Sequence, residues 1–315
     1  MTRRFLLFVH TRREAAIEAL HHVLREMAID QVEAVMLTDQ IDELRTADPS
    51  VLPEGLPELL SAGHVRVVRD VAEAGPIELG IVLGGDGTIL RALEAARGAD
   101  FPIHGVNLGH VGFLAESEAA DLTETVDRLL ARAYEIEERS TLDVAVIGTD
   151  RSVVARDFCI NDASLEKRDR QRMINAVLEI DGRPVSAFGC DGVIVSTSTG
   201  STAYAFSAGG PVVWPEVDSF LIVPNAAHAL FARPLVLGRS SVAAIEIPDE
   251  DRDGGVLFLD GRRTHLIDPG MRVEVRLSEQ KARLARLSTT PFADRLVERF
   301  RLPVTGWRGR RTEGA

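Results

Sequence analysis

Three things are scarce in this chain: cysteine, net positive charge and long apolar runs. Its 315 residues include two cysteines, Cys159 and Cys190, both in apolar sequence with no histidine close by. That excludes a disulfide framework and a cysteine-based zinc site, and leaves two small buried residues. Lys and Arg number 36 against 48 Asp and Glu, a formal net charge of −12. Binding nucleic acid or an anionic membrane nonspecifically needs a basic face that displaces counterions, so neither partner is expected. Any anionic ligand must be met by local positive groups or a metal. No run approaches the about 18 apolar residues of a membrane span. The start, "MTRRFLLFVH", sets two arginines before an apolar stretch. That stretch is too short for a signal core and lacks a small-residue cleavage site, so it reads as a first β-strand of a cytoplasmic protein. No internal repeat is evident.

What is present is the composition of a soluble globular protein, 45% hydrophobic and 27% charged, long enough for two domains. In the first part, "RFLLFVH", "EAAIEALHHVLREM", "ELGIVLGG", "TILRALEAARG" and "FPIHGVNLG" alternate strand-like and helix-like patterns. This is the order of β-α units laid into a mainly parallel sheet. The stretch from Asp39 to Ala62 is acidic and weakly periodic and reads as a variable connection. From "LDVAVIG" onward, two-residue alternation is punctuated by Gly148-Thr149-Asp150, Asp181-Gly182 and Asp253-Gly254-Gly255, which read as hairpin turns because Asp-Gly tolerates positive φ. "VAAIEIP", "VLFLDG", "MRVEVRL" and "KARLARLS" continue the theme. The expected architecture is an N-terminal Rossmann-like α/β domain over 1–137 and a β-rich, sandwich-like domain over 138–288. A tail, 289–315, whose helix "PFADRLVERF" carries Phe292, Leu296 and Phe300 on one face, returns to the first domain.

Two loops carry chemistry. In "IVLGGDGTILRAL", Gly84, Gly85 and Gly87 form a turn between a buried strand and a helix that Thr88 is placed to cap. Such a turn offers backbone N–H groups to phosphate oxygens at the positive end of the helix dipole. It lacks the Gly-Lys-Ser/Thr ending of a Walker motif and the Gly-x-Gly-x-x-Gly spacing of dinucleotide-binding folds. Asp86 at its centre is either a turn residue, a proton acceptor for an attacking hydroxyl, or a ligand of a phosphate-bound Mg²⁺; the last two imply phosphoryl transfer. Arg91, read on the first turn of the helix, is placed to reach an anion there. The second loop, "CDGVIVSTSTGSTAYAFSAGGP", sets hydroxyls around Gly200 between an apolar strand and an Ala-rich segment with Tyr204 and Phe206. It reads as a solvated loop or as a packed one suited to a purine and ribose. Asn161-Asp162 and Asp191 are turn residues or ligand contacts. Lys167, Arg168, Arg170 and Arg172 form the densest basic patch of this half.

Together these residues resemble the NAD kinases. "GGDGTILRA", "NLGHVGFLAE", "NDASLEK" and "DGVIVSTSTGSTAYAFSAGGP" match the family's motifs, and the tail "RLPVTGWRG" is similar to that of actinobacterial members. The glycine turn alone is shared with lipid kinases and phosphofructokinases; the second loop separates them. The resemblance implies transfer of the terminal phosphoryl group of ATP, or of polyphosphate, to the adenosine ribose 2′-hydroxyl of NAD, giving NADP. It implies Asp86 as proton acceptor, Gly87 and Arg91 beside the dinucleotide, and Asn161 and Asp162 at a ribose. Arg172, Asp191, Thr202, Ala203, Tyr204, Ala205, Phe206 and Ser207 would line the NAD pocket, with Phe113 and Arg262 as further candidates. A divalent metal, Mg²⁺, is implied without a residue assigned to hold it, and so is a homodimer or homotetramer. Three positions depart from the family: Asp162 stands where Glu is common, Ser198 where Pro is usual, which should loosen the loop, and His110 where some relatives have Arg. A lipid or sphingoid kinase sharing the glycine turn, and a non-catalytic NAD(P) sensor, are the alternatives.

Overall fold

Apolar runs flanked by amphipathic stretches become parallel strands and covering helices in the first part of the chain. The computed structural model describes residues 2–48, 51–61, 63–108, 112–118, 121–288 and 290–304; His110 and the basic end of the tail lie outside them. The chain divides into two units, Met1–Glu137 with Arg283–Ala315, and Glu138–Ala282.

The first unit's sheet runs Val65–Val68, Glu33–Leu37, Arg4–Val9, Leu79–Leu83, Ile103–Asn107, Ala282–Arg286 and Glu135–Arg139, with Ser117–Glu118 also paired to Ile103–Asn107. Leu79–Leu83 and Ile103–Asn107 are buried at every position, as strands covered on both faces must be. The helix Glu14–Ile29 buries Ile17, Leu20, Val23, Leu24 and Met27 at helical spacing into the same core. The stretch expected to be a variable connection instead forms helices Thr38–Arg45 and Leu56–Ser61. They are anchored by a few side chains, Ile41, Leu44 and Leu56, and buried Gln40 bonds both the N–H and the C=O of Val9. In chain order the sheet reads third, second, first, fourth, fifth strand, so its order reverses between Arg4–Val9 and Leu79–Leu83. The carboxyl ends of strands at such a switch point form the usual ligand crevice of open α/β sheets.

"KARLARLS" was grouped above with the β-rich half, but Ala282–Arg286 pairs in parallel with Ile103–Asn107 through Leu284 and Ile103. Alternation identifies a half-buried strand without naming its partner. The tail helix Phe292–Phe300 follows, and the Phe113 ring lies 5.8 Å from that of Phe292 and 5.9 Å from that of Phe300.

The second unit stacks two six-stranded sheets on one core. One runs Leu235–Gly238, Ser219–Asn225, Gly192–Thr197, Asp162–Lys167, Gly255–Leu259, Arg263–Ile267; the other runs Arg183–Cys190, Ile174–Ile180, Ala243–Glu246, Arg272–Leu277, Leu142–Ile147, Val153–Cys159. Every pairing within them is antiparallel. Asp181 and Gly182, both at positive φ, make the expected hairpin turn. Asp253-Gly254 does not: it lies on the connection between Ala243–Glu246 and Gly255–Leu259, which belong to different sheets. Both cysteines are free and buried.

Candidate active site

The first cluster of candidate site residues sits at the switch point. Leaving Leu83, whose carbonyl accepts the His10 N–H at 2.9 Å, the chain turns through Gly84 and Gly85 into the helix Asp86–Ala95. A Cβ on Gly84 would lie 2.6 Å from the Thr88 hydroxyl oxygen, so the turn needs glycine there. Gly85, not Thr88, is the N-cap, and Thr88 is buried one turn in. The helix thus begins at Asp86, which moves Arg91 from the first turn to the second. Its guanidinium lies 3.8 Å from Asp39 and over the Phe8 ring, not at the helix N-terminus.

Asp86 does not stand alone in the turn. Its carboxylate accepts the backbone N–H groups of Phe113 (2.9 Å), Leu114 (3.1 Å) and Ala115 (3.3 Å). A side chain on Gly112 would collide with that carboxylate, which explains a glycine in "HVGFL". A carboxylate has about four lone-pair directions, so three N–H bonds leave it able to accept one more donor. Phe113 contributes its N–H to Asp86 and its ring to the tail helix. Next to this segment a cavity of about 460 Å³ is lined by Gly112, Ala115, Glu116, Arg286, Arg295 and Glu298 among others. Arg286 pairs with Glu137, donates to the Leu114 carbonyl at 3.1 Å and lies 3.7 Å from Glu116. In the adjoining strand His104 is fully buried, with Nδ1 2.9 Å from the Ala285 carbonyl and Nε2 3.0 Å from the Ser117 hydroxyl. Burial pushes its imidazole below the usual histidine range.

The second cluster belongs to the β-rich unit. A pocket of about 350 Å³ is lined by Asn161, Asp162, Ser164, Glu166, Ala203, Tyr204, Phe258, Asp260 and Gly261. Burial raises the Asp162 carboxyl to about 7, with the negative charges of Asp260 and Glu166 adding to the effect. The Tyr204 phenol is also raised, by burial first and then by Glu166 and Asp162.

Of the residues of this unit expected at the NAD pocket, Asn161, Asp162, Ala203 and Tyr204 line this one, and Arg172, Asp191, Thr202, Ala205, Phe206 and Ser207 lie outside its lining. Ala205 is fully buried against Ile194, Leu221 and Val223. Arg172 is ion-paired to Asp253 at 3.6 Å and Asp191 to Lys167 at 2.6 Å. Thr202 bonds back to Thr199, and Phe206 and Ser207 are exposed on the short helix Tyr204–Ser207. Arg262 follows two lining residues without lining the pocket itself. The loop's hydroxyls are committed to the protein: Thr197 Oγ1 donates to the Ile160 carbonyl at 2.7 Å, Ser196 Oγ to that of Asn161 at 3.1 Å, and Ser201 Oγ to that of Val213 at 3.2 Å. The buried Ser198 hydroxyl lies within hydrogen-bond distance of the carbonyls of Val217 and Ser219, either of which accepts its one proton, and so ties the loop at this position.

Sequence reasoning missed Asp260, Arg263, Glu166, Glu116 and Arg286. Asp260 carried a readable signal, since it precedes Gly261 at the end of an alternating run, and both take positive φ. Among the described residues no three or more His, Cys, Asp or Glu side chains converge in a metal-ligand cluster. The described side chains therefore form no dedicated protein cage for a metal ion.

Models of two domains match the chain, the ATP-NAD kinase N-terminal domain over residues 5–134 and the C-terminal domain over 160–287. The chain belongs to the ATP-NAD kinase family. It is 49% identical to an NAD kinase of Thermobifida fusca over 99% of this chain and 93% of that protein. It is 48% identical to one of Mycolicibacterium paratuberculosis, covering 98% of each. Its fold matches a yeast NADH kinase crystallised with NADH, with a TM-score of 0.83 at 21% identity over 96% of this chain and 89% of that one. It also matches an NAD kinase of Archaeoglobus fulgidus crystallised with ATP, with a TM-score of 0.65 at 21% identity over 96% and 100%. As a member of the ATP-NAD kinase family the chain is an enzyme, a phosphotransferase, and the lipid-kinase and sensor alternatives find no support. No helix among the described residues is long and apolar enough to cross a membrane.

Proposed function

We propose that this enzyme transfers the terminal phosphoryl group of ATP to the 2′-hydroxyl of the adenosine ribose of NAD, with Asp86 as the group that receives the hydroxyl proton. The observation that carries the reading is a carboxylate placed at the first residue of a helix, at the switch point of the sheet, and held there by three backbone donors with one acceptor direction to spare. The 2′-oxygen forms a bond to the γ-phosphorus, the bond from that phosphorus to the β,γ-bridging oxygen breaks, ADP leaves, and the proton passes to Asp86. Gly84, Gly85 and Gly87 leave the helix N-terminus open to phosphate oxygens, and its dipole favours their charge. Mg²⁺ enters as part of the substrate, chelated by the ATP phosphates, because such ions are held by one or two carboxylates plus phosphates more often than by protein cages. Asn161 and Asp162 take a ribose of NAD, and Tyr204 lies against the dinucleotide. The same reading assigns a cytoplasmic homodimer or homotetramer and leaves polyphosphate as a second donor to test.

The test is purified protein with NAD, ATP and Mg²⁺, read by an NADP-specific dehydrogenase, with NADH and diacylglycerol as alternative acceptors. NADP formation is expected. Asp86→Asn should keep NAD binding within a few fold and lose most of the turnover; wild-type rates in that variant would remove the proton-acceptor role.

A further inference from the structure

Between Val153–Cys159 and Asp162–Lys167 the chain crosses from one sheet of the β-rich unit to the other, through Ile160 and Asn161. A corner of this kind takes backbone groups out of both ladders, and buried ones must find other partners. The carbonyls are met by the second loop, Ile160 by Thr197 Oγ1, and Asn161 by the Thr197 N–H and Ser196 Oγ. The N–H groups converge on one carboxylate. Asp260 accepts from Ile160 at 3.0 Å, Asn161 at 2.7 Å and Asp162 at 3.4 Å, and its own N–H returns a bond to the Asp162 carbonyl at 2.9 Å. Its side chain is 5% exposed. Arg263, 3.5 Å away, bonds the Phe158 carbonyl at 2.8 Å, pairs with Asp157 and lies over the Phe158 ring.

We propose that Asp260 is a positioning residue for NAD binding: its carboxylate, anchored on the Ile160, Asn161 and Asp162 N–H groups, fixes the backbone from which Asn161 and Asp162 meet a ribose. The proposal rests on the reading that Asn161 and Asp162 contact NAD. A plain fold staple would hold the corner equally well, so the difference lies in the charge. Asp162 is faced by Asp260 and by Glu166 on its own strand, and it acts in turn on Tyr204 of the short helix and on Cys159. Arg263, beside Asp260, is the cation of the group. Removing the negative charge at 260 lets Asp162 ionise at lower pH, while leaving buried N–H groups without a full acceptor.

The experiment uses full-length Asp260→Asn and Asp260→Glu, with Asn161→Ala as reference, in steady-state kinetics with NAD and ATP varied separately across about pH 5 to 9. Asp260→Asn is expected to raise KM for NAD about tenfold, keep KM for ATP within about twofold, and move the acid limb of kcat/KM for NAD to lower pH. Asp260→Glu, which keeps the charge but displaces the oxygens, should raise KM for NAD with the limb unmoved. An unchanged KM for NAD in Asp260→Asn, or an equal rise for both substrates with an unmoved limb, overturns the proposal. Should Asp260→Asn fail to fold, Asp260→Glu decides whether the carboxylate positions the pair for NAD: a selective rise in KM for NAD with the acid limb unmoved supports, and an unchanged or unselective KM overturns. Asn161→Ala separates the two levels. If it leaves KM for NAD unchanged, the pair does not contact NAD and the underlying reading falls; if it raises KM while Asp260→Asn does not, only the role of Asp260 falls.

Discussion

Asp162 is an acid that folding penalises for ionising. Its carboxyl rises from 3.8 to about 7, so between those values the native state binds more protons than the unfolded one, and stability falls as pH rises through that window. Asn at this position carries no such penalty. Asp162→Asn is therefore expected to gain stability relative to wild type on going from pH 5 to pH 8, on the order of 2 kcal/mol. Thermal melts of both proteins at the two pH values measure it, and a constant difference would refute the buried, charge-crowded environment. At this scale the sequence exposed residue types well and their engagements poorly. Motif and turn chemistry singled out Asn161, Asp162, Ala203 and Tyr204, and these four line one pocket. The ion pairs of Arg172 and Asp191 and the burial of Ala205 were not legible, since they depend on partners distant in the chain. Asp260 was readable as a turn residue but not in its engagement, because what its carboxylate binds is the corner at Ile160 and Asn161, far earlier in the chain.

The tail helix is the element with the clearest indirect role. Phe292 and Phe300 pack on Phe113, whose N–H is one of the three donors to Asp86. Each aromatic contact stabilises by about 0.5–1.5 kcal/mol beyond its buried area. Phe300→Ala should loosen the 113–115 segment and lower kcat several fold while KM for NAD stays within about twofold; a rise in KM alone would place the helix elsewhere in the cycle. Sequence periodicity found this helix and the principal parallel strands, because one apolar face or one fully apolar run is a local property. It failed where few apolar anchors fix an element, as in Thr38–Arg45, and where two alternating strands share a pattern but not a sheet. Ala282–Arg286 is that second case: a period of two says which side chains turn inward, and only the partner says in which unit.

For the whole molecule, two compact units joined by more than one chain crossing imply unequal independence. A fragment of residues 138–282 carries both sheets of its core and is expected to melt cooperatively by circular dichroism. A fragment of residues 1–137 lacks Leu284, Ala285 and Arg286, leaves the Ile103 end of Ile103–Asn107 without its neighbour strand while Val106 and Asn107 keep theirs, and is expected to aggregate, as unpaired hydrophobic sheet edges do. A soluble, cooperative 1–137 fragment would contradict that. The late return of Ala282–Arg286 also sets a timetable. Domains generally fold as units during synthesis, the N-terminal one first. Here the unit begun first on the ribosome must wait, with an open edge beside the strand that leads to its glycine turn, until the unit begun second has been translated in full.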